Sequence, residues 1–155
     1  MTSYGLDVLY PIFPSLPASL TSYMPSALEL SRISYYSLSL GLLTALPAIV
    51  SGIAQASKMF KSGGMHEADG KTLKPKGKAV VTHAVTNYII SGASAYSWWC
   101  RRKAGGMAYE PQTWMIALSL LLGLLIAFSA NVGTTLAYRY GAGMQIGKSK
   151  YEKAM

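Results

Sequence analysis

Three stretches free of every charged residue type constrain this chain more than any other feature. Residues 33–57, 79–100 and 111–138 contain no Asp, Glu, Lys or Arg over 25, 22 and 28 positions. A helix needs about 20 mostly apolar residues to cross a bilayer, and soluble core helices rarely run that far without a charge. In a chain of 155 residues such segments leave only short connections, with no room for a soluble catalytic domain. The expectation is an all-α integral membrane protein with three transmembrane helices, over residues 33–57, 79–100 and 113–138. A short Pro-rich helix within residues 1–32 is a candidate fourth, and residues 146–155 form a basic tail.

The net charge of +8 would raise the question of nucleic acid in a soluble protein. Here the cations flank hydrophobic segments, so anionic lipid headgroups and membrane orientation account for them. With three spans, the polar loop at 58–78 and the tail lie on one side. They hold ten of the 14 Lys and Arg residues, whereas the other side holds Arg32 and Arg101–Lys103. The loop and tail are therefore expected on the inner side, in cytosol or matrix. The loop lacks hydrophobic periodicity and is expected to be flexible, or ordered by a partner. The lone Cys100 excludes an internal disulfide framework; it reads as a small interfacial residue, with reversible acylation as the functional alternative.

The N-terminal 31 residues contain Asp7 and Glu29 but no Lys or Arg, unlike a secretory signal or a cleaved presequence. Pro11, Pro14 and Pro17 disfavour a straight helix. Pro17 can start a short helix running through Leu20 towards Leu30, kinked near Pro25. The first span is rich in small residues. Ser37, Gly41 and Ala45 repeat at a spacing of four, as do Ala48, Gly52 and Ala56. Each set marks one helical face and suits close approach of another backbone; Pro47 is expected to kink this helix. The third span turns small and polar at Ser129, Asn131, Gly133, Thr134 and Thr135, a half expected to face protein rather than lipid.

His83 and Asn87 stand four apart in the second span, on one helical face. A histidine there can ligate haem, but His66, the only other one, lies in the loop, so a bis-histidine b-type site is not expected. A single axial ligand remains the functional alternative. The structural reading is an imidazole hydrogen-bonded across to another helix, with Asn87 or Asn131 nearby. No Asp or Glu occurs within the three segments, which argues against a proton-coupled pump or carrier. No phosphate-cradling loop, carboxylate pair, metal cluster or nucleophilic triad appears, so neither catalysis nor a metal is expected.

Three stretches, LGLLTALPAIVSGIA over 40–54, THAVTNYI over 82–89 and AYRYGAGM over 137–144, resemble a four-helix membrane family of unknown function found in bacteria and fungi. The matching elements are Pro47 and Gly52; His83, Ala84 and Asn87; and the signature Tyr138, Arg139, Tyr140, Gly141 and Gly143. Where the family opens with histidine-containing elements, this chain has Tyr10-Pro11 and Leu16-Pro17, so a haem or metal role does not carry over. Fungal members include a small accessory subunit of mitochondrial NADH:ubiquinone oxidoreductase, respiratory complex I, which the chain is similar to. The resemblance implies a non-catalytic subunit of the mitochondrial inner membrane, with the loop at 58–78 and the C-terminus in the matrix. Its implied partners are other membrane subunits and phospholipids, including anionic ones, with no cofactor.

Overall fold

The computed structural model describes residues 1–61, 65–67, 69–104 and 109–141. Its elements are helix α1 (Thr2–Leu9), a 3-10 turn (Phe13–Ser15), α2 (Ala18–Thr21), α3 (Ala27–Lys61), α4 (Pro75–Ala104) and α5 (Thr113–Tyr140). Beyond helices, an isolated antiparallel bridge joins His66 and Leu73 among the described residues. The fold is all-α. Helices α3 and α5 are long and apolar enough to cross a membrane. Helix α4, at 30 residues and about 1.5 Å of rise each, matches them in length but carries more polar side chains.

The helix boundaries follow local chemistry. Before α3, Ser26 and Glu29 form a reciprocal capping box. The Ser26 N–H donates to Glu29 Oε2 at 2.8 Å, and the Glu29 N–H to Ser26 Oγ at 3.3 Å. Pro47 lies inside α3, where it removes one N–H donor, yet the helix continues for four further turns. Pro75 opens α4, a position where its missing N–H costs nothing. At the end of α5, Gly141 adopts φ +61 and its N–H closes on the Ala137 and Leu136 carbonyls, the left-handed termination that glycine favours.

The N-terminal region departs from expectation. The helix after Pro17 is a single turn, Ala18–Thr21, that does not continue to Leu30. Instead Thr2–Leu9, ahead of the prolines, is helical and packs against α3 and α5. The loop, expected to be flexible or ordered by a partner, carries backbone hydrogen bonds of its own among the described residues. The Glu67 N–H bonds to the Thr72 carbonyl at 2.8 Å and the Lys74 N–H to the Met65 carbonyl at 2.9 Å. Met65 is fully buried beneath this small hairpin. The turn is held by Asp69, which accepts from the Thr72 hydroxyl and from the Thr72 and Lys71 N–H groups.

Burial is uneven along the bundle. The buried residues of α3 all lie between Leu30 and Leu38, where α1, α4 and the chain after α4 converge. There Tyr35 stacks on Tyr109 at a centroid distance of 4.0 Å and on Trp98 at 6.2 Å. Beyond Leu38 no residue of α3 is buried, and small and large apolar side chains alike are half-buried or exposed.

Candidate functional site

Two polar features sit between the helices, one at each end of the bundle. The first was not expected. Ser3 and Asp7 stand four apart and so share a face of α1, and both are buried. The Asp7 carboxylate pairs with the guanidinium of Arg101 on α4; the two side chains are 1% and 0% exposed. Ser34 of α3 donates to Asp7 Oδ1 at 2.5 Å, and Ser119 of α5 donates to Oδ2 at 2.7 Å. Arg101 Nη1 donates to Ser34 Oγ at 3.2 Å. One carboxylate is thus held by a side chain from each of the three long helices, and it ties α1 to all of them.

Burying an ion pair is costly, and the cost is met only when the remaining lone pairs and protons are also bonded. Here both carboxylate oxygens accept from hydroxyls, in charge-assisted bonds that are stronger than neutral ones, whereas on the Arg101 side Nε is buried without a hydrogen-bond partner among the described residues, so the cost is met only in part. Arg101 therefore does not belong with the cations that flank the hydrophobic segments at the membrane boundary. Its neighbours do. Arg102 lies over the Trp98 ring at 5.5 Å and Lys103 over Trp99 at 5.3 Å. Likewise an aspartate does reach the space between the long helices, delivered by α1 rather than by a span. The signal available in the sequence was the Ser3–Asp7 spacing; with four cations on that side, it could not name the partner.

The second feature surrounds His83. Its Nδ1 lies 3.1 Å from the Ser129 carbonyl and 3.2 Å from the Ser129 hydroxyl on α5. A carbonyl only accepts, so the bond to it puts the proton on Nδ1 and, in a neutral ring, the lone pair on Nε2; the Ser129 hydroxyl can instead donate to Nδ1, which reverses the two. Asn87 Nδ2 donates to Ser129 Oγ and to the His83 carbonyl, each at 2.7 Å. The imidazole bonds across to α5 beside Asn87, but the residue it meets is Ser129. Asn131 is exposed, and its carbonyl accepts from the Thr135 hydroxyl. Gly133 gives the ring its space, since a Cβ there would stand 3.0 Å from His83 Cε1.

His83, Asn87 and Gly133 form one wall of a cleft of about 540 Å³ between α3 and the α4–α5 pair. The opposite wall is α3, with Ala45, Ala48, Gly52 and Ala56. A smaller cleft nearer α1 takes in Ser37, Gly41 and Ala45. The small-residue faces thus look towards the chain's own helices without touching them; a Cβ at Gly41 or Gly52 would meet nothing within 4 Å. In the C-terminal signature, Gly141 ends α5, the Tyr140 carbonyl accepts from Lys76 Nζ at 3.2 Å, and Arg139 lies over the Tyr140 ring at 5.8 Å. Tyr138 is exposed. Gly143 and the basic tail lie outside the described residues. No group of three or more His, Cys, Asp or Glu gathers among the described residues.

Comparison with known families matches residues 12–146 to a family model described as a predicted membrane protein (DUF2231). Helix α1, with Asp7, precedes the matched range. No curated protein and no solved structure matches the chain.

Proposed function

The chain belongs to the DUF2231 family of membrane proteins, and on that premise we propose that it is a non-catalytic scaffold subunit of a larger membrane assembly. The resemblance noted from its sequence points to respiratory complex I as that assembly, in the mitochondrial inner membrane with the loop at 58–78 and the C-terminus in the matrix. One observation carries the scaffold reading: only 6% of the apolar stretch of α3 is buried within the chain. Leu40, Leu43, Leu46 and Val50 are all exposed along it, a surface suited to packing against neighbouring helices and lipid.

Native electrophoresis of mildly solubilised membranes tests this. The protein is expected to migrate with a large complex and to carry no absorbing cofactor; migration as a free small species refutes the scaffold reading. A large complex other than the NADH:ubiquinone oxidoreductase refutes only the finer assignment.

A haem-binding reading is favoured by one tautomer of His83 alone. A donating Nδ1 with a lone pair on Nε2 is the arrangement of an iron-ligating histidine, and Met59 lines the same cleft. A Soret band that vanishes in His83→Ala supports it, and a colourless protein removes it.

A further inference from the structure

We infer that the larger cleft is a binding site for one anionic phospholipid, with an acyl chain between α3 and α4 and the phosphate on a pair of lysines at its mouth. The inference goes beyond the scaffold reading and rests only on membrane residence, so either can fail alone.

The cleft runs along α3 as far as Ser57 and Phe60 and along α4 to Val80. Residues four apart share a helical face. Four residues beyond Ser57 is Lys61, and four before Val80 is Lys76. The two walls therefore end in lysines on facing helices. Lys61 is exposed. Lys76 gives one N–H to the Tyr140 carbonyl, which leaves two of its three donors for another acceptor. Lys58 and Lys78, both exposed on the same end turns, add to the field. The adjoining loop contributes two carboxylates, Glu67 and Asp69, against these four lysines, so positive charge dominates the mouth.

Below the mouth the walls are mostly apolar, with Ile49, Ile53 and Phe60 facing Val80 and Leu136. The volume suits a flexible hydrocarbon chain and falls within the range of small-ligand sites. Basic pockets between membrane helices bind anionic lipid headgroups. A charged mouth above a greasy slot thus matches the two ends of a phospholipid, whereas a packed neighbouring helix would have no use for the lysine pair.

The full chain is reconstituted in vesicles of equal phosphatidylglycerol and phosphatidylcholine with identical acyl chains. It is then released into mild detergent and weighed by native mass spectrometry. One retained lipid is expected, with phosphatidylglycerol favoured by about thirtyfold for two lysines. Lys61→Gln with Lys76→Gln should bring the preference to near parity, and Lys61→Arg with Lys76→Arg should keep it. Ala48→Phe, which fills the slot, should abolish retention of either lipid. As a measurement independent of that variant's folding, wild-type protein is also cross-linked to phosphatidylglycerol carrying a photoactivatable acyl chain. Adducts are expected on Ile49, Ile53, Phe60 or Val80. Equal retention of the two lipids by wild type, adducts on the outward faces at Leu40 and Leu124, or a haem or protein segment held in the cleft would each overturn the inference.

Discussion

At residue scale, Asp69 in the loop before α4 and Gly77 in the first turn of α4 show how single groups order a segment that reads as unstructured. Gly77 is buried, and a Cβ placed on it would stand 2.6 Å from the Met65 backbone carbonyl, too close for relaxation of a side chain to relieve. Gly77→Ala is expected to destabilise the loop by about 1–3 kcal/mol, seen as faster proteolysis of the loop in the detergent-solubilised protein. Asp69 gives a pH test. The Thr72 hydroxyl, followed by the Thr72 and Lys71 N–H groups, holds its carboxyl below the ordinary value of 3.8. A carboxylate with a depressed pKa stabilises the folded turn above its unfolded pKa, and that contribution fades as pH falls through the folded value. Amide protection at Lys71 and Thr72 should therefore be constant near neutrality and decline below pH 3.8. In Asp69→Asn that decline should be absent. At Gly133, replacement by Leu would drive a side chain into the His83 ring and should break its bond to Ser129.

At the scale of elements, the short helix α1 is held by its ion pair more than by its length. An isolated helix of eight residues is too short to be stable in water. Its fixed place follows from Ser3 and Asp7 reaching side chains on α3, α4 and α5. Removing one partner of a buried pair costs about 3–5 kcal/mol, because a lone charge is left behind. Asp7→Ala should lower the thermal midpoint strongly and release α1 to protease. The double variant Asp7→Ala, Arg101→Met should recover a large part of that loss, since no unpaired charge remains. Equal losses in the single and double variants would show that the stranded Arg101 charge is not what destabilises the single variant.

At the scale of the whole molecule, α3 is locked to the other helices at the Asp7–Arg101 end and stands apart from the α4–α5 pair at the lysine end. Buried residues on α3 stop at Leu38, and the cleft begins at Ala45. The open end leaves α3 to be completed by lipid inside the cleft and by neighbouring helices outside it. Replacing Leu43 and Val50, both exposed, by Trp should weaken association with a large complex on native gels. The fold of the isolated chain should be unchanged, because neither side chain is buried within it. Retained association would place the contact surface elsewhere, on α5.

Membrane residence, the all-α architecture and the three long segments were all legible in the sequence, because the absence of charge over 20-odd positions is a local property that lipid enforces directly. That His83 and Asn87 share a face was legible for a related reason, since spacing on a helix fixes which side chains lie together; that this face meets Ser129 and Gly133 rather than Asn131 was not. Helix α1 was not, since its stability comes from contacts with residues far along the chain and not from its own propensities. Nor was Arg101, one of three consecutive cations of which only the helix rotation buries one. The small-residue stripe on α3 could be read as a face, but not what it faced. Only the tertiary structure decided that it looks into a cleft of the chain's own making, because the angle at which helices diverge is set where they are tied together, and that tie is an ion pair between residues 94 positions apart.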